Sequence, residues 1–136
     1  MLVTRVGGIA CAIPIAHVVE TMRPLPIEPV TDAGQLAFVR GVSVVRGTAI
    51  PVIDTASLLG QDAREQARFV VVRAGARTVA LLVDAVIDVR SFDSATFSEL
   101  PPLVRAITHD NVQAIGALDR ELFVVLDTGR IVPEAA

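Results

Sequence analysis

An all-β protein is what this sequence predicts, and three observations predict it. Short runs rich in β-branched residues are separated about every eight to twelve residues by turn signals. Helical periodicity is confined to short stretches. The chain also repeats itself, which points to two small β subdomains whose apolar faces meet.

Taken in order, Leu2–Val6 and Ile9–Ile15 flank Gly7-Gly8, a turn at hairpin distance, and Val18–Arg23 is a third run. Val42–Val45 and Ala49–Ile53 flank Arg46-Gly47. Asp54 is a good N-cap for a helix over Thr55–Leu59, stopped by Gly60, and the polar stretch Gln61–Gln66 reads as a connector. Phe69–Arg73 and Thr78–Val83 flank Ala74-Gly75-Ala76, and Val86–Val89 follows. After a loop around Pro101-Pro102, Ala114–Leu118 and Leu122–Leu126 flank Asp119-Arg120, and a second helical turn starts at Asp127. One or two short helices in an otherwise β chain is the expectation.

The repeat has two parts. Val42–Leu59 lies without a gap over Ile115–Val132, placing Ile50 over Phe123, Ile53 over Leu126 and Asp54-Thr55 over Asp127-Thr128. Gly7–Glu20 lies over Gly75–Asp88 at a slightly shorter spacing, with Cys11 over Val79, Ile13 over Leu81 and Glu20 over Asp88. The strands Ile9–Ile15 and Thr78–Val83 carry apolar or small residues on both faces, as strands covered on both sides do. Each half alone is marginal in size, so residues 1–136 are expected to fold as one domain that buries about two thirds of its unfolded surface.

Composition narrows the function. Hydrophobic residues make up 52% and charged residues 20%, with five Phe, no Tyr and no Trp. The net charge is −3, and the twelve cations are all Arg, dispersed from Arg5 to Arg130. Without a basic cluster or stacking aromatics, nucleic acid is not an expected partner. The single cysteine, Cys11, shares a strand face with Ile9, Ile13 and Ile15 and reads as a small buried hydrophobe. The uncharged stretch Val6–Ala16 is too short and too Gly- and Pro-interrupted for an export signal, and no other such stretch reaches a membrane-spanning length. A soluble, cytoplasmic protein is expected. His17 and His109 have no second His or Cys at ligand spacing, so no metal is expected, and without a Gly-rich phosphate loop or a Gly-x-Ser-x-Gly elbow neither a cofactor nor a catalytic residue is.

One enzyme reading competes. Val125-Leu126-Asp127-Thr128-Gly129 has the form of the aspartic-protease signature, in which two aspartates share a proton. Only nine residues follow Asp127, however, and Asp54 is followed by Thr55-Ala56 and a helix-like Ser57-Leu58-Leu59. What remains is a small dimeric retropepsin-like peptidase using Asp54, as the alternative to a binding module.

The segment Phe38-Val39-Arg40-Gly41-Val42 through Arg46-Gly47-Thr48-Ala49-Ile50-Pro51-Val52-Ile53-Asp54 resembles the hallmark of the CheW-like chemotaxis adaptors. Ala12-Ile13-Pro14-Ile15 with Val18-Val19-Glu20, Ala80-Leu81-Leu82-Val83-Asp84 with Val86, and Ile115–Leu118 with Leu122–Asp127 extend the resemblance over essentially the whole chain. It implies two intertwined five-stranded SH3-like β-barrels on a shared hydrophobic core. It also implies a non-catalytic adaptor coupling the cytoplasmic tips of transmembrane chemoreceptors to a CheA-type histidine kinase at membrane-bound receptor arrays. Position by position, Val18 and Glu20 match the family's receptor-contact strand, Gly41 its pre-hairpin glycine and Arg46 its hallmark arginine. Val44 replaces the family's Asn, Ala10-Cys11-Ala12 an aromatic of the second strand, and Pro24–Pro29 carries three prolines.

Overall fold

The computed structural model describes residues 1–29, 38–91, 97–99, 112–118 and 121–128. Eleven strands and one short helix run through them: β1 Leu2–Val6, β2 Ile9–Ile13, β3 Val18–Met22, β4 Val39–Val45, β5 Thr48–Asp54, α1 Thr55–Leu58, β6 Arg68–Ala74, β7 Arg77–Val83, β8 Ala85–Val89, β9 Phe97–Glu99, β10 Val112–Leu118 and β11 Glu121–Leu126. The predicted strands are all present, with shifted ends. β2 stops at Ile13, because Pro14 has no N–H for a ladder and the chain turns into a 3-10 turn at Ile15–His17, closed by His17 N donating to Pro14 O at 3.0 Å. β4 begins at Val39, three residues early, with a bulge between Val39 and Gly41 opposite Ile53 and Val52. β9 is the strand sequence reasoning lacked. The Asp119-Arg120 turn, the Pro101-Pro102 loop, His109 and the repeat beyond Thr128 lie outside the described residues.

The strands form two sheets, in the orders β8-β1-β2-β11-β10-β9 and β3-β6-β7-β5-β4. With β9 added, the first has one strand more than the five expected. Local hairpins form within each half, as their two-residue turns dictate, but they associate across halves. β2 runs parallel to β11, with Val125 opposite Ala12, and β5 runs parallel to β7, with Val52 opposite Ala80. Those two pairs superpose under the spacings read in the sequence: Val52 corresponds to Val125, and Ala12 to Ala80. The third strand of each half crosses as well, β3 pairing with β6 and β8 with β1. Each sheet therefore takes strands from both repeats.

Among the described residues three apolar clusters result. Between the sheets lie Leu2, Val6, Cys11, Ile13, Ile53, Val70, Val72, Val79, Leu81, Val83, Val124 and Leu126. The other faces of the same strands line the inside of each curled sheet: Val3, Ala10, Ala12, Phe123 and Val125 in the first, and Val45, Ile50, Val52, Phe69, Val71, Ala80 and Leu82 in the second. β2, β6, β7 and β11 are thus buried on both faces. Burying each Val, Leu, Ile or Phe side chain is favourable by about 1.5 to 3 kcal/mol, so these shared strands hold both sheets. Burial also pushes the Cys11 thiol up to about 12, which makes it the inert hydrophobe its position implied.

Candidate interaction surface at the hairpin tip

Arg46 and Gly47 form the two-residue turn between β4 and β5, both with positive φ, at 50° and 80°. Such a turn matches the twist of the flanking strands. Glycine takes the second position without strain, whereas arginine does not, so Arg46 is held there by something else. That partner is Glu20 on β3. Arg46 Nε donates to Glu20 Oε2 at 2.6 Å, and Nη2 donates to Oε1 at 2.9 Å. The two charged groups meet fork to fork, the strongest form of such a pair.

β3 and β4 stand at opposite ends of the strand order, so this contact means that the second sheet curls until its edges approach. The chain after β3 completes the approach: Glu28 and Val42 exchange N–H···O bonds of 2.8 Å each way, and Ser43 Oγ donates to Pro26 O at 2.7 Å. Arg46 remains 75% exposed while Glu20 is 22% exposed, so the pair presents a mostly guanidinium surface. The hydrogen bonds from Arg46 hold the Glu20 carboxyl below its ordinary value, its charge adding to the effect, and Glu20 in turn raises Arg46.

The structure brings Arg46 and Glu20 together and separates Val18 from them. A bulge on β3 places Val18 opposite Val72 but Glu20 opposite Val71, and those neighbours point to opposite faces of β6. Val18 consequently packs, half-buried, against the inter-sheet core, while Glu20 lies on the face that reaches Arg46. Strict alternation had put them side by side. The residue that is exposed there is Val19, which the sequence reading did not single out.

Gly41 is buried and has φ 155°, and its role is one of close approach. A Cβ there would overlap the Glu28 carbonyl and lie 2.9 Å from Ile27 Cγ2. The glycine lets the segment from Pro24 to Pro29 lie on β4.

Asp54 is the cap the sequence predicted, Oδ1 accepting from Ser57 N at 3.3 Å. The same carboxylate accepts from Gln66 Nε2 at 3.2 Å and from Arg40 Nη1 at 3.4 Å, and Arg40 also donates to Gln66 Oε1 at 2.8 Å. Asp54 ends β5 and Asp127 follows β11, strands of different sheets. The Asp54 carboxylate is taken up by a cap and an ion pair within its own chain, and the peptidase reading gains no support.

Two buried polar groups escaped the sequence reading. Asp84, 5% exposed, accepts from Gly7 N at 2.7 Å through Oδ2 and from Gln66 N at 2.8 Å through Oδ1, fastening the connector to the β1–β2 turn. Thr128 shares a 2.6 Å hydrogen bond with His17 Nδ1. Its repeat counterpart, Thr55, is fully buried with no partner for Oγ1 among the described residues, and the counterpart of His17 is Ala85. The loss of the histidine explains the orphaned hydroxyl. Among the described residues no cluster of His, Cys, Asp or Glu could hold a metal, and no helix is long and apolar enough to cross a membrane.

The family model of the CheW-like domain matches residues 1–136. The chain is similar to the chemotaxis protein CheW of Rhizobium meliloti (strain 1021), at 25% identity over 136 residues, covering 98% of this chain and 86% of that one. A further match is to the chemotaxis protein CheA of Cereibacter sphaeroides, 32% identical over 94 residues, which take in 65% of this chain and 13% of the relative. Among solved structures, the scaffolding protein TtCheW from Thermoanaerobacter tengcongensis matches with a TM-score of 0.78 and 26% identity, over 92% of this chain and 86% of that one.

Proposed function

The chain belongs to the CheW-like domain family, and from that premise we propose that it is a non-catalytic cytoplasmic adaptor that couples transmembrane chemoreceptors to a CheA-type histidine kinase. The observation that carries the reading is the match of the family model to the chain from end to end, hairpin tip and β3 included. The similarity of 94 residues to a stretch of a CheA protein supports a kinase partner with a module of related fold. Residues 1–136 act as one folding unit in this reading, and the receptor-facing surface is built on Arg46 and Glu20, with Gly41 and Val18 supporting it from behind. The exposed guanidinium fork suits a carboxylate or carbonyl on a partner, since Nη1 is not used by Glu20.

The test is a reconstitution of the ternary complex with receptor cytoplasmic fragments and kinase, comparing wild type with Arg46→Glu and with the exchange Arg46→Glu/Glu20→Arg. Arg46→Glu abolishes the complex. The exchange restores the internal ion pair, and complex formation stays lost if partners read the arginine itself. Full recovery by the exchange would show that the pair only holds the sheet edges together, and normal binding by the single variant would remove this surface from the proposal.

A further inference from the structure

Among the described residues, the outer edge of β4 is incomplete. The two-residue turn sets Val45 and Thr48 as the bonded closing pair, and the antiparallel alternation makes Ser43 and Ile50 the next bonded pair. Val42 and Val44 therefore direct their backbone N–H and C=O away from β5. Pro51 stands opposite Val42, where no ladder N–H is needed. The outward groups of Val42 are both taken by Glu28. Those of Val44 have no backbone partner among the described residues. The neighbouring chain cannot supply one in full, because Pro24 and Pro26 have no N–H and the Pro26 carbonyl is occupied by Ser43 Oγ.

Beside this open stretch lies a groove of about 340 Å³ lined by Leu25, Pro26, Glu28, Val42, Val44 and Ala49. Val44, at 63% exposure, is among the most exposed large apolar side chains described. Among the described lining residues Glu28 is the one that is charged, and its carboxylate has no partner among the described residues. An unpaired strand edge next to an apolar groove is a template for strand addition, and the carboxylate selects a cation.

We propose that the outer edge of β4 binds an extended segment of a partner protein, which pairs with the backbone of Val44, places an apolar side chain in the groove and sets a Lys or Arg against Glu28. This surface lies on the outer side of the hairpin whose tip carries Arg46. It rests on the backbone geometry of β4, the groove and the Glu28 carboxylate, and holds or fails independently of the receptor and kinase assignment.

Selection from a displayed library of random nine-residue peptides against the full chain tests it. The expected selectants pair apolar residues with Lys or Arg, and a synthetic selectant slows hydrogen exchange at the Val44 amide. Val44→Pro removes an outward-facing donor, changes an exposed side chain of the groove and weakens the peptide about tenfold. Glu28→Arg leaves the ladder intact, weakens the basic peptide by a similar factor and serves if the proline variant fails to fold. Selectants indifferent to both substitutions would overturn the proposal. So would protection of the Val44 amide that grows with protein concentration and no peptide, which would give this edge to a second copy of the chain.

Discussion

Replacing Asp84 tests how the connector is fastened. Its carboxylate, 5% exposed, accepts two backbone N–H bonds, from Gly7 at 2.7 Å and Gln66 at 2.8 Å. Hydrogen bonds to a charged acceptor contribute roughly 1.5 to 3 kcal/mol each, and a buried donor left unpaired costs about 1 to 3 kcal/mol. Water reaches the half-buried Gln66 once the side chain is gone, so Asp84→Ala should cost about 3 to 5 kcal/mol rather than the full sum. At a size of 136 residues this corresponds to a fall in melting temperature of about 10 to 20 °C. Asp84→Asn keeps one acceptor and turns an NH2 group towards the other donor, for about half the loss. Urea denaturation of the three proteins, with the slope checked for constancy, measures both differences. A loss below about 1 kcal/mol for the alanine variant, or an asparagine variant less stable than it, would refute the argument.

Two further outcomes follow from the topology and the broken repeat. A fragment of residues 1–61 contains the β1–β2 and β4–β5 hairpins, which lie in different sheets and make no strand pair with each other, so it should be aggregated or molten; a sharp cooperative melt of a monomeric fragment by circular dichroism would show that the halves are separate domains. Thr55→Val exchanges an orphaned hydroxyl for a methyl group and should be neutral or stabilising by up to about 1 kcal/mol, whereas Thr128→Val breaks the bond to His17 and should cost about 1 kcal/mol; equal changes in the same denaturation assay would contradict the assignment.

What was legible in the sequence is what short-range physics decides. The hairpin turns at Gly7-Gly8, Arg46-Gly47 and Gly75, the cap at Asp54 and the two-faced burial of β2 and β7 follow from residues within a few positions of one another. The repeat was legible too, and its spacings fit the register of the two parallel pairs. Which hairpin joins which sheet was not, because parallel pairing between β2 and β11 leaves no local mark. The bulge at Val19 also defeated alternation and separated Val18 from Glu20. Of the candidate surface, the residues were found but not their relation: Arg46 and Glu20 are 26 positions apart, and only the curl of the sheet makes them a pair. Three-residue β9 is too short to carry a pattern, and Asp84 reads as any strand-end aspartate until its two donors are located.

The crossing of strands between repeats also orders events at the ribosome. The β1–β2 hairpin is made before both of its partner strands, β8 and β11, and β11 follows every other described strand. Until they emerge, Val3, Ala10 and Ala12 lack Phe123 and Val125, while Cys11 and Ile13 can be covered only by the second sheet. The second sheet can close once β7 has left the tunnel, because all five of its strands then exist. Closure of the second sheet can therefore precede that of the first, which waits for β11.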